Sequence, residues 1–169
     1  MTITTESGAA RKEPRWLSPG EDRTWRAYLQ ASELIGDHLD RQLQRDSGIP
    51  HVYYGLLAWL SEAPGRQMRM TDLAEQSQIT RSRLSHAIAR LEERGWVRRA
   101  NCAWDKRGQI ATLTDEGFAF LEKAAPGHVE AVREAVFDAL TPEQVEAFGA
   151  ACTAIAARLN GSPAVPWHR

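Results

Sequence analysis

The sequence predicts a mostly helical fold with one small β-hairpin, and three observations point to it. Apolar residues recur at helical spacing along most of the chain, in stretches opened by Ser, Thr or Pro and closed by Gly. Two short segments, 96–99 and 109–113, alternate as strands do and are separated by a polar loop, 101–108. Positive charge is concentrated: from Arg81 to Arg107 there are eight Lys/Arg against three acids, net +5, in a chain of net −1. The order from Met70 to Gly117 is helix, turn, helix, hairpin and the start of a further helix. That is a winged helix-turn-helix, which sets a helix in the DNA major groove and a basic loop beside it.

Residues 1–17 read as a polar, flexible leader. Ser18-Pro19-Gly20-Glu21 is a capping box with Pro where no backbone N–H is needed. Behind it Trp25, Leu29, Ser32, Gly36, Leu39 and Leu43 recur at helical spacing, predicting a helix over 19–46. Gly48 ends it, and Pro50 opens a second helix that stops before Ala63-Pro64-Gly65. Thr71 is the expected cap of a short helix over 72–76. Ser77-Gln78-Ile79 is the turn, with Ile79 plugging the core. Thr80 caps the next helix, which ends at Gly95. Thr114 caps a long stretch to about residue 140, in which Pro126-Gly127 is expected to force a kink or break. Thr141-Pro142-Glu143-Gln144 is a second capping box, and Val145, Phe148, Cys152, Ile155 and Leu159 stripe the last helix.

The expected organisation is a leader (1–17), a dimerisation helix (18–47), a winged helix-turn-helix (48–117), C-terminal dimerisation helices (118–160) and a tail (161–169). The terminal helices carry more apolar surface than so small a core can cover. A two-fold homodimer would bury it and would present two recognition helices to a pseudo-palindromic duplex.

On a helical wheel, Leu84, Ala87, Ile88 and Leu91 form the core-facing stripe of the helix after Thr80. Thr80, Arg81, Ser82, Arg83, Ser85, His86 and Arg90 lie on or beside the opposite face. Small hydroxyls allow close approach to the duplex, Arg can take guanine O6 and N7 together, and His86 can donate to a base or phosphate.

Other classes are disfavoured. No Gly-rich phosphate loop, nucleophile elbow or metal-ligand cluster is present, so enzyme chemistry, a metal and a cofactor are not expected. His38, His51, His86, His128 and His168 are scattered. Two cysteines make no disulfide framework, and the first fifteen residues lack an apolar secretory core, so the cytoplasm is the expected location. No apolar run approaches the roughly 20 residues of a membrane span. The rival reading is a winged helix used as a protein-interaction module without DNA binding. Such a module has no need of Arg90, Lys106 and Arg107 on one surface.

The string Leu91-Glu92-Glu93-Arg94-Gly95-Trp96-Val97-Arg98-Arg99, with Asp105-Lys106-Arg107-Gly108 and Leu113-Thr114-Asp115-Glu116-Gly117, resembles the MarR family of bacterial transcription regulators. The helix layout extends the resemblance from about Ser18 to about Leu159. It implies an intertwined homodimer on pseudo-palindromic promoter DNA, usually a repressor. It also implies that Arg107 enters the minor groove, oriented by Asp105, while Lys106 contacts phosphate. A narrow minor groove has enhanced negative potential and attracts a guanidinium. Trp104, after Cys102-Ala103 at the loop tip, departs from that pattern.

The resemblance also implies release by a small, often phenolic, ligand held between the dimerisation helices and the DNA-binding core. Trp16, Trp25, Tyr28, His51, Tyr54 and Trp59 are the candidate lining, since apolar walls with a few polar tips suit an aromatic effector. The bland alternative is that these aromatics are core. Some relatives sense oxidants through cysteine. Cys102, expected in an exposed loop beside Arg99, Lys106 and Arg107, is the candidate, while Cys152 is expected to be buried.

Overall fold

The structure, a computed structural model, describes residues 13–102 and 105–160, with the side chains of 105–107 and 160 outside the description. The leader up to residue 12, Ala103, Trp104 and the tail from residue 161 lie outside the described residues. The chain divides into two units, Met1–Leu34 and Ile35–Arg169, with the division inside the first helix.

In the first unit, α1 (Pro19–Ser47) starts at the predicted capping box. The Ser18 N–H donates to Glu21 Oε2 (2.7 Å) and the Glu21 N–H to Ser18 Oγ (3.3 Å), which satisfies two N–H groups a bare helix end would leave unpaired. Trp25, Tyr28, Leu29 and Leu34 are exposed along it.

The second unit begins with the remainder of α1, which buries Leu39 and Leu43. Gly48, at φ 67°, reverses the chain, a conformation glycine adopts without strain. Then come α2 (His51–Glu62), a 3₁₀ turn (Pro64–Arg66), β1 (Gln67–Arg69), α3 (Met70–Gln76) and α4 (Arg81–Glu93). These are followed by β2 (Val97–Cys102), β3 (Asp105–Leu113), α5 (Asp115–Ala135), a second 3₁₀ turn (Phe137–Ala139) and α6 (Pro142–Asn160). The core gathers Leu43, Leu56, Leu57 and Leu60 from α1 and α2, Leu73 from α3, and Leu84, Ile88 and Leu91 from α4. Val97, Ala111 and Leu113 close it from the sheet and Leu121 from α5.

Four expectations are corrected. The sheet has three antiparallel strands, in the order β1-β3-β2, where two were expected. Gln67-Met68-Arg69 is too short to carry a pattern and becomes a strand because β3 offers it a partner, Gln67 opposite Thr112 and Arg69 opposite Ile110. Thr71 does not cap α3: the chain enters the helix directly from β1, Arg69 takes the cap position, and the Thr71 hydroxyl bonds Asp72 Oδ1 at 2.9 Å. The hairpin strands run through most of the expected loop 101–108, with an irregularity between Asn101 and Cys102. Finally, α5 is not broken at Pro126: it runs through, with Leu121 and Ala124 before it and Ala131 after it anchored by burial. The chain leaves helical geometry at Val136 instead (φ −125°, ψ −64°).

α6 is capped as expected, with the Thr141 N–H on Gln144 Oε1 (2.9 Å) and the Gln144 N–H on Thr141 Oγ1 (3.3 Å). None of its described side chains is buried, and Phe148, Ile155 and Leu159 are exposed. Among the described residues no helix is long and apolar enough to cross a membrane.

Candidate nucleic-acid interface

The Thr80 hydroxyl accepts from the Arg83 N–H (3.3 Å) and starts α4. Gln78, at φ 54°, turns the chain from α3 to α4, and half-buried Ile79 packs on the core as the expected plug. At the far end the Gly95 N–H returns to Glu92 O (2.9 Å) and the Trp96 N–H to Leu91 O (3.0 Å). This is a Schellman closure, with Gly95 in the left-handed region at φ 74°. The helix is thus held at both ends, and burial of Leu84, Ala87, Ile88 and Leu91 sets its rotation. Thr80, Arg81, Ser82, Arg83, Ser85, His86 and Arg90 are all exposed, as the wheel predicts.

The hairpin is fixed to α4 and α5 by a compact knot. The Thr114 hydroxyl donates to Gly95 O (2.7 Å) and accepts from the Gly117 N–H (3.0 Å), while the Thr114 N–H donates to Trp96 O (3.0 Å). The Trp96 ring stacks on Phe120, with centroids 3.9 Å apart, and Arg94 covers its other environs at 4.9 Å from the ring centroid. The strands carry the backbone of Asp105, Lys106 and Arg107 onto β3, beyond the register pair Asn101–Gln109. Their side chains lie outside the described residues, as does Trp104.

The cations of this surface divide into two sets. Arg90 is paired with Glu93 (2.8 Å), Arg99 with Glu92, and Arg94 donates to Gly48 O (3.2 Å). Arg81, Arg83 and Arg98 are exposed and have no ion pair among the described residues. Arg69 was not singled out in the sequence because β1 carries no pattern. Its Nη2 reaches Cys102 Sγ at 3.9 Å, at the outer part of the hairpin.

Both cysteine expectations are reversed. Cys102 is a buried strand residue and Cys152 is exposed. The register that extends β2 turns the Cys102 side chain inward, and α6 has nothing packed over Cys152 within the described chain.

The six aromatic candidates fall in the two units. In the first unit Trp25 stacks on Tyr28, with centroids 5.6 Å apart, and Trp16 is 87% exposed. In the second unit His51 and Tyr54 of α2 meet His128 of α5, at centroid separations of 5.3 Å and 4.3 Å. Trp59 is half-buried against the core. Sequence reasoning missed His128, because its partners lie more than seventy positions away in the chain. Burial and the nearby His51 hold His128 down at about 4, and burial lowers His51 against the opposing pull of Asp40. Burial, with Glu62 nearby, raises Tyr54. His128 Nδ1 and Gln42 Oε1 are buried without a hydrogen-bond partner.

A model of the MarR family matches residues 47–108, the stretch that holds α2 to the hairpin. The transcriptional regulator HosA of Escherichia coli O157:H7 is 30% identical over 123 residues, covering 73% of this chain and 89% of HosA. The chain belongs to the MarR family. Two solved MarR-family regulators of Streptomyces coelicolor share its fold. Sco3205, in complex with DNA, is 58% identical with TM-score 0.83, covering 94% of this chain and all of that one. AbsC is 40% identical with TM-score 0.81, covering 88% and 100%. The chain is therefore a winged-helix, DNA-binding transcriptional regulator, a class of proteins that are not enzymes.

Proposed function

We propose that the chain acts as a cytoplasmic homodimer that binds pseudo-palindromic promoter DNA as a repressor, with α4 in the major groove and the hairpin in the adjacent minor groove. The observation that carries this reading is the exposed face of α4, where Arg81 and Arg83 stand free among small hydroxyls, beside a hairpin carrying Arg98. Arg83 and His86 are the candidate base readers, Arg81, Arg98 and Lys106 phosphate contacts, and Arg107, oriented by Asp105, the minor-groove reader. Dimerisation is supported by α6, a helix of nineteen residues that buries none of its described side chains and so calls for a second copy to cover Phe148, Ile155 and Leu159.

The test is affinity selection from a random-sequence duplex library. Enrichment of a pseudo-palindrome with half-sites about 10 bp apart supports the reading. No enrichment at low salt overturns it in favour of a protein-interaction module.

Release by a small aromatic acid is the accompanying proposal. It is supported by the His51–Tyr54–His128 cluster, where aromatic ring faces and an unpaired imidazole nitrogen lie together. Equilibrium dialysis against phenolic acids should show binding that His128→Phe weakens; no binding at millimolar ligand removes this part.

A further inference from the structure

The cations nearest the hairpin are not equivalent, and Arg99 has a distinct place. β2 is an edge strand, so every second N–H along it faces away from β3. The outward N–H of Arg99 donates to Glu92 Oε1 at 2.9 Å, and its side chain returns to the same carboxylate, with Nε donating to Oε2 at 2.8 Å. Nη2 also lies 2.5 Å from Oε2. One carboxylate in the last turn of the recognition helix thus takes a backbone donor and the guanidinium of one wing residue. Both side chains are about a quarter exposed. Arg99 lies opposite Ala111 of β3, two positions up the strand from Leu113 at the hairpin base. The contact therefore acts on the arm of the hairpin and not on its root, which the Thr114 knot already holds.

We infer that Glu92 and Arg99 are positioning residues that set the angle between recognition helix and wing, so that both grooves are engaged together. The inference rests on the DNA-binding reading above. Arg99 is accordingly spent within the protein and is not a phosphate contact, although it counts toward the positive charge of the segment from Arg81 to Arg107. A charge-assisted contact in which one carboxylate oxygen takes the guanidinium and the other the backbone N–H is directional and suits this role better than an exposed ion pair would. The weight inferred for it is geometric, in holding the two-groove contact.

The experiment uses the full chain and the duplex that the wild type itself selects from a random library. Hydroxyl-radical footprinting reports the flanking minor grooves, and methylation protection reports the central major grooves. For Glu92→Ala and for the charge-preserving Arg99→Lys, the flanking protection should be lost while the central protection is kept. Specific affinity should fall by about 10–100-fold, the order expected for losing the wing's base contacts, at unchanged affinity for random-sequence duplex. Parallel loss of both protections with a lowered melting temperature would overturn the inference, because the pair would then serve the fold alone. An unchanged footprint in Arg99→Lys and Glu92→Ala would overturn it while leaving the DNA-binding reading intact. A wild-type chain that selects no duplex would overturn both.

Discussion

Substituting Gly117 by Ala tests the knot that joins α5 to the hairpin. Gly117 is the third residue of α5 and is buried. A Cβ built there falls well inside contact distance of the Trp96 carbonyl oxygen, and 2.8 Å from Leu113 Cδ1. The Leu113 methyl can swing aside. The Trp96 carbonyl cannot, since it accepts the Thr114 N–H at 3.0 Å and follows the Gly95 reversal. Overpacking of this kind costs about 1–3 kcal/mol. Weakening the Thr114–Trp96 hydrogen bond adds about 0.5–1.5 kcal/mol. The better helix propensity of Ala returns about 1 kcal/mol. The net expectation is a loss of about 1–3 kcal/mol, or roughly 3–10 °C in melting temperature for a chain of this size. Urea unfolding followed by far-UV dichroism measures it. Gly55→Ala in α2 is the control: a Cβ there meets nothing within 4 Å, so stability should stay level or rise by up to about 1 kcal/mol. If Gly117→Ala is as stable as the wild type, or more so, the close approach of α5 to the Gly95–Trp96 turn is not what demands glycine.

Arg107→Ala should weaken binding to the selected duplex by about 1–3 kcal/mol in a competition assay. Arg83→Ala should likewise weaken it at an unchanged slope of log affinity against log salt, whereas Arg81→Ala should reduce that slope by about 1. His128, held at about 4 in the folded protein, takes up its proton in the unfolded chain near 6.5. Stability should therefore be complete above 6.5 and fall as the pH drops toward 4. The loss should be about 1–2 kcal/mol once solvent screening of a half-buried ring is allowed for. His128→Phe should flatten urea midpoints over that window. Phe148→Asp places a charge on the exposed face of α6, and light scattering should find the wild type dimeric and this variant monomeric.

Helix 19–47 and the two capping boxes were legible because a cap needs only residues three positions apart, and the same holds for Thr80 and Thr114. The recognition face was legible for a related reason: one buried stripe, Leu84 to Leu91, dictates which residues face outward. β1 was not legible, since three residues carry no period until β3 lies beside them. Nor was the continuity of α5 through Pro126, where local chemistry argues for a break and burial on both sides outweighs it. The inverted exposure of Cys102 and Cys152 has the same origin. A residue on an extended strand changes face with register, and an apolar stripe is buried only when something covers it.

Sequence order and local chemistry sufficed for the succession of helices, turn and hairpin, for the polarity of α4 and for the place of positive charge. Those properties depend on neighbours within one or two helical turns, and they are written in spacing alone. Which arginines are free and which are occupied depended on contacts across the fold, as did the meeting of His51 and Tyr54 with His128 and the need for glycine at 117. Glu92 and Arg99 are seven positions apart, on a helix and a strand joined by a reversal. Their contact exists because the Gly95 closure aims β2 back along α4, a geometry that no periodicity within either element encodes.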